Sequence, residues 1–328
     1  MLYIPGAMPR QSDSPADMIE YSFIVENECL GYRLDHFLMK KIPRLSRNRL
    51  QRVIRGECWV DGRVAKPATI VVPGQTVKFR RPAPPEPDAP RTLPVLVTDE
   101  HYYGLDKPPG IAMHPTAKYH HSTITSVMRE LFVGEELQIT HRLDLETSGA
   151  LLIARNRDAA VKLKGAFAKR RVRKRYLAVV RGALVGEGVV DAPLGLLGGL
   201  VRIRMGVLPI SEGGQPARTR WRALQTFATH ALVECWPETG RQHQIRCHLH
   251  HLGFPIVGDK LYPDEQIFAD YQDHGWDAVK DRVAHPRQAL HAAGLWFPHP
   301  TTGVEVGVES PLAPDLVSLL SSLNGSDF

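Results

Sequence analysis

The sequence predicts an α+β fold: a mainly antiparallel sheet with flanking helices, preceded by a small α+β unit. Three observations carry that reading. Strand-like and helix-like runs do not alternate in the regular βαβ rhythm of a doubly wound fold. Apolar runs are short and bounded by turn residues, and helical periodicity recurs at only a few places. A proline-dense stretch, residues 81–92, suits neither a sheet nor a helix interior and reads as an extended, semi-rigid linker. At 328 residues the chain is long enough for two cores.

The elements follow in order. Residues 1–17 are polar and broken by proline, and read as a loose tail. Residues 18–80 form the small unit. Its first strand is Tyr21–Val25, followed by a helix over Arg33–Met39, where apolar residues fall at helical spacing. Pro43 breaks that helix, Ser46 is placed to cap a second over Arg47–Arg55, and Gly56 stops it. Trp59–Val64 reads as a hairpin around Asp61-Gly62, and Val71–Val77 as a second turn between short strands. The large unit, residues 93–328, carries helix candidates at Ser122–Phe132, Arg157–Ala168 and Gln242–Leu252, and a closing amphipathic helix at Leu312–Leu320. No repeat of fixed period is present.

Composition narrows the class. A hydrophobic fraction of 43% with 23% charged residues argues against disorder. The opening twenty residues lack the basic and apolar regions of a signal peptide, and no apolar run reaches the ~18–20 residues of a membrane span. Four cysteines without metal or disulfide spacing fit a reducing compartment, so a cytoplasmic monomer is expected. The formal charge is only +6, but it is concentrated. Between Arg33 and Lys66 ten basic residues face three acids, and Lys169–Arg175 holds six basic residues with no acid among them. Arg47, Arg49, Arg52 and Arg55 crowd four guanidiniums into under three helical turns, a repulsion most simply offset by phosphates.

The chemistry centres on His141-Arg142-Leu143-Asp144-Leu145-Glu146-Thr147-Ser148-Gly149, a polar lead into the apolar run Ala150–Ala154. By itself this is also a plausible surface loop with a local ion pair. A kinase catalytic loop is excluded, because Leu143 interrupts His-Arg-Asp and the downstream Asn is missing. Glu146 could make a carboxylate pair with Asp144, as in glycosidases. His243, His248, His250 and His251 invite a zinc site, but no carboxylate or thiol completes a familiar ligand set. Lys107, in a Pro-Pro-Gly turn, reads as structural.

Five blocks in order resemble the RluA-type pseudouridine synthases. They are Asp106-Lys107-Pro108-Pro109-Gly110 with His114-Pro115, the HRLDLETSG segment, Lys174-Arg175-Tyr176-Leu177-Ala178, Thr239–Arg246 continuing to Gly258-Asp259, and Arg287–Ala292. Residues 263–286 look like an insertion before the last block. The small unit resembles the alpha-L RNA-binding domain through Arg33-Leu34-Asp35, Ser46–Leu50 and Val60-Asp61-Gly62. The resemblance implies RNA as substrate, ribosomal RNA ahead of transfer RNA, with neither cofactor nor metal. It implies that Asp144 is the reacting carboxylate, that Arg246, carried on a strand, pairs with it, and that Tyr176 stacks on an extruded uracil. His141, Arg142, Lys174, Arg241, His243 and Ile245 are the further candidates for substrate binding. Arg142 either fills the space left by the flipped base or pairs with Asp144 or Glu146. Candidates for contact with RNA are Arg33, Arg44, Ser46, Arg47, Arg49, Arg52, Arg55, Lys169, Arg170, Arg171 and Arg173.

Overall fold

The computed structural model describes residues 18–42, 54, 57–82, 86, 88–116, 119, 121–199, 201 and 203–324. The expected tail and the basic stretch with Arg44, Ser46, Arg47, Arg49, Arg52 and Arg55 lie outside the described residues. The chain divides at residues 86 and 87 into two compact units.

In the first unit, strands β1 (Met18–Ile24), β2 (Cys58–Val60), β3 (Arg63–Val64) and β4 (Thr76–Pro82) form an antiparallel sheet in the order β1-β4-β2-β3. Asp61 and Gly62 join β2 to β3 with φ of 48° and 78°, the positive pair that a twisted two-residue hairpin turn needs. Helix α1 (Leu34–Lys41) buries Leu34, Phe37 and Leu38 in one core with Val77, Phe79 and Ile54. The second turn differs from the reading above. Strand begins only at Thr76, and Val71 instead donates its N–H to Tyr32 O.

Asp35, on the first turn of α1, is fully buried, and Arg33 offsets that burial by donating Nε and Nη2 to its two oxygens at 3.1 and 3.0 Å. Arg33 is thus engaged within the unit. Its side chain remains 43% exposed beside that pair.

The second unit is built on a ten-stranded sheet among the described residues. Its main path runs β10 (Glu187–Asp191), β13 (Arg218–Thr226), β14 (His230–Pro237), β9 (Arg173–Arg181), β15 (Leu290–Pro298), β8 (Ser148–Ala154), β6 (Tyr102–Lys107) and β5 (Val95–Thr98). Strands β7 (Gln138–Ile139) and β16 (Glu305–Glu309) pair with β8 and β15. All these ladders are antiparallel except β8 with β15. A short hairpin of β11 (Leu194–Leu196) and β12 (Met205–Val207) stands apart from the sheet path.

Strand β8 is buried at every position because both its faces are covered. Leu151 and Ile153 face a core with Ile111, Leu143 and helix α2 (Ile124–Leu131). Ala150, Leu152 and Ala154 face another with α3 (Arg157–Ala168). That alternation is the two-residue period of a strand. Side chains of Thr123 and Asn156 cap the two helices by accepting from Ser126 N and Ala159 N.

Helix α4 (Gln244–His251) follows β14, so Arg246 stands on a helix and not on the strand expected of it. Residues 263–286 contain α5 (Glu265–His274) and α6 (Lys280–Val283), around a small core of Ile267, Val279 and Val283. The closing helix α7 (Pro314–Asn324) starts two residues later and ends one turn further than expected. No helix among the described residues is long and apolar enough to cross a membrane.

Candidate active site

The polar lead into β8 becomes a tight loop because its carbonyls have dedicated donors. Thr147 N–H donates to Asp144 O at 3.2 Å, closing a turn, and Gly110 N–H donates to Leu145 O at 2.9 Å. Lys107 is fully buried at the end of β6 and donates its three ammonium protons to Pro108 O, Leu145 O and Thr147 O at 3.0, 3.1 and 2.8 Å. It welds the loop to the turn at 108–110. The structural role read for Lys107 therefore has a specific form: it presents Asp144.

Asp144 is 32% exposed, at a cleft of ≈ 1000 Å³. Arg246 Nη1 donates to Asp144 Oδ2 at 2.9 Å, and Gln288 Nε2 approaches the same oxygen at 3.5 Å. Oδ1 accepts nothing from the described residues. The rest of the Arg246 fork is held by Asp259, with Nε and Nη2 donating to its two oxygens at 2.6 and 2.9 Å. Asp259 is fully buried and also accepts from Leu261 N and Tyr262 N. The ring of Tyr262 lies 4.9 Å from the guanidinium carbon of Arg246.

Burial alone pushes the Asp144 carboxyl up, but the charge of Arg246 outweighs it and holds the group below the usual carboxylate range. His243 lies near the same carboxylate, yet burial brings its own pKa down to about 4, so it is neutral at pH 7. Arg246 is therefore the cation that matters. Burial works against the guanidinium too, and Asp259 first and Asp144 second overcome it. One buried cation serves two carboxylates, the inner one saturated and the outer one left with a free oxygen.

Asp144, Tyr176, Arg246, His141, Arg142, Lys174, Arg241, His243 and Ile245 all line this cleft, although they come from separate segments. The hydroxyl of Tyr176 makes no hydrogen bond to the described residues, and burial, then Asp144, pushes its pKa up. It stays protonated at neutral pH. His243 takes a left-handed φ of 55° at the start of α4 and shares a 2.8 Å hydrogen bond between Nδ1 and the Tyr262 hydroxyl. Lys174 donates to Thr239 O at 2.6 Å, fastening β9 to the loop before α4, and Arg241 Nε donates to Pro216 O.

His141 is engaged internally: its Nε2 accepts from Leu152 N at 3.0 Å and its ring stacks on Phe167. Arg142 is exposed at the cleft and makes no ion pair with the described residues, so the reading that paired it with Asp144 or Glu146 is not realised. Glu146 is held instead by Lys260 Nζ at 2.7 Å and Gln288 N at 2.9 Å, which removes it from a glycosidase-like pair. Of the four histidines, His248 directs Nδ1 to Thr219 and Nε2 to Ala192 O. Lys169, Arg170 and Arg171 are exposed and unpaired among the described residues, whereas Arg173, also exposed, pairs with Glu305 from β16.

The sequence pattern did not single out Asp259, Gln288 or Tyr262 as parts of the site. Asp259 and Gln288 both lie inside matched blocks, so the signal existed; what it lacked was a contact to Arg246 or Asp144.

The comparisons agree in one direction. Residues 101–251 match the RNA pseudouridylate synthase family. A relative from Xanthomonas campestris pv. campestris, described as ribosomal large subunit pseudouridine synthase D, is 35% identical over 96% of each chain. One of the same description from Pseudomonas aeruginosa is 34% identical over 94% of this chain and 97% of its own. Among solved structures, human RNA pseudouridylate synthase domain containing 4 superposes with a TM-score of 0.57 at 28% identity, over 70% of this chain and 92% of its own.

Proposed function

The chain belongs to the RNA pseudouridylate synthase family, and on that premise we propose that it isomerises uridine in large-subunit ribosomal RNA, with Asp144 as the reacting carboxylate. The observation that carries this reading is the Asp144 carboxylate, kept ionised by Arg246 with Oδ1 unencumbered in the cleft that also holds Tyr176. The ribosomal target rests on the descriptions of the relatives.

Isomerisation breaks the bond between the ribose anomeric carbon and N1 of uracil, turns the base, and joins the same carbon to C5. The proton on C5 departs and N1 gains one, so nothing is oxidised and no redox cofactor is called for. Asp144 Oδ1 is the oxygen that acts, either on the anomeric carbon or on the base. A target inside a helix must leave its stack to reach it. Tyr176 gives the extruded base a surface to stack on, and its unpaired hydroxyl is free to exchange a proton with it. Arg142, exposed and uncommitted, is suited to the gap the base leaves. Lys169, Arg170 and Arg171 serve the backbone beside the cleft.

The test is chemical mapping of pseudouridine in large-subunit ribosomal RNA transcribed in vitro and incubated with purified protein. Wild type is expected to introduce pseudouridine at discrete positions and Asp144→Asn to introduce none. Identical maps from the two proteins would remove Asp144 from the chemistry.

A further inference from the structure

Outside the cleft, one surface combines features that the reaction itself does not use. Trp236 lies beneath two guanidiniums, Arg220 and Arg222, whose central carbons are 5.3 and 5.5 Å from the ring centre. Trp296 lies beneath Arg173 and Arg175 in the same way, at 5.5 and 5.4 Å. Register brings these together: Arg220 is opposite Trp236 on β13 and β14, and Arg173 is opposite Trp296 on β9 and β15. The two-residue period of β9 sends Arg173 and Arg175 to the face opposite Lys174 and Tyr176.

Between them lies a groove of ≈ 570 Å³, lined by six cations and two carboxylates, Glu234 and Glu238. It shares Arg170, Val172, Lys174, Pro237 and Glu238 with the catalytic cleft, so it leaves the cleft around the ends of β9 and β14. Glu305 and Glu309 reach in from β16, and each arginine shares a carboxylate. Of these, Arg173–Glu305 and Arg220–Glu238 are exposed on both sides, at 67 and 55% and at 57 and 42%, whereas Glu234, shared by Arg222 and Arg175, is buried. Exposed ion pairs are weak and readily exchanged for a phosphate. The Nε of Arg175 is buried, and its nearest carboxylate is Glu234 Oε1 at 3.8 Å, an ion pair rather than a hydrogen bond.

We propose that this groove is a second RNA subsite, which takes an unpaired stretch of the substrate flanking the target uridine, stacks bases on Trp236 and Trp296, and binds their phosphates through the overlying arginines. The ordinary alternative is a sheet face on which arginines merely cover tryptophan rings. Continuity with the cleft and the excess of cations over carboxylates in the lining favour RNA. Aromatic rings on an exposed sheet face, interleaved with arginines, are a general means of holding single-stranded RNA.

The proposal rests on RNA being the substrate, and its test has two arms. The first measures binding of a labelled oligouridylate of about ten nucleotides to wild type, W236A/W296A and W236F/W296F. The double alanine variant is expected to bind on the order of tenfold more weakly, and the double phenylalanine variant, which keeps a stacking surface, close to wild type. The second arm measures single-turnover pseudouridine formation in transcribed large-subunit ribosomal RNA. There the double alanine variant should need about tenfold more protein for its half-maximal rate, at an unchanged maximal rate. Wild-type binding by the double alanine variant would overturn the subsite, as would a lowered maximal rate at unchanged half-saturation. If wild type modifies no ribosomal RNA, the ribosomal target fails, and the oligouridylate arm still decides the groove.

Discussion

Asp144 sits between two opposed influences, and their balance makes a signed prediction. Burial favours the protonated acid, while Arg246 favours the anion and wins. Replacing Arg246 by Gln removes the main opposition to burial, so the carboxyl pKa rises and the acid limb of the single-turnover rate should move toward neutral pH. The wild-type limb should lie below the ordinary carboxylate range; equal limbs in the two proteins would refute the pairing as the source of the charge. The same substitution strands the fully buried Asp259, and loss of one partner of a buried pair costs roughly 3–5 kcal/mol, readable by urea denaturation. Tyr176 separates stacking from proton transfer. Tyr176→Phe keeps the ring, so RNA affinity should hold, while losing a positioned acid–base hydroxyl should slow single turnover by about 10²-fold or more. An unchanged rate would leave the ring as its only contribution. Asp144, Tyr176 and Arg246 were readable in the sequence because each stands in a block of distinctive residues. Asp259 lies 13 residues beyond Arg246 and shares its fork only because the chain doubles back, a fact that no local pattern contains.

Strand β8 presents Asp144, and its position depends on how closely it meets β15. Gly149 has φ of 110°, and a Cβ there would come 2.3 Å from Ala292 O. Gly149→Ala should therefore cost about 3 kcal/mol by urea denaturation, from left-handed strain together with overpacking. Any folded fraction should be inactive, since the parallel step between β8 and β15 cannot open without moving the loop. Stability equal to wild type would contradict that close approach. Lys107 acts at the other end of the loop. Lys107→Met removes the ammonium donor from the carbonyls of 108, 145 and 147, of which 145 keeps Gly110 N–H, at a cost of roughly 1–3 kcal/mol, and should lower the rate without affecting binding to the RNA. Periodicity sufficed to find α3 to the residue, and came within a few residues for α2, α4 and α7. The strand expected at Arg246 came from the resemblance instead, and there the helical apolar spacing over 242–252 was the better guide. Periodicity could not reveal the parallel β8–β15 step, since register between strands about 140 residues apart is decided by packing on both faces.

We propose that the first unit supplies affinity for RNA and the second the chemistry, a division that salt dependence can measure. The first unit has its own core, with Leu34, Phe37, Ile54, Val77 and Phe79 buried together. Its arginines at 47, 49 and 52 can therefore be changed with the catalytic unit intact. Arg33 does not belong in that experiment, since its pairing with buried Asp35 makes it part of the fold. Each phosphate neutralised by a protein cation releases counterions, so affinity falls with salt at a slope that counts the contacts. The triple variant R47Q/R49Q/R52Q should bind ribosomal RNA more weakly at low salt, with a slope of log affinity against log salt shallower by about 2. At saturating protein its single-turnover rate should match wild type, because no residue of the Asp144 cleft has changed. A lower rate with an undiminished salt slope would reverse the assignment, giving the arginines to the chemistry and the phosphate contacts to the catalytic unit.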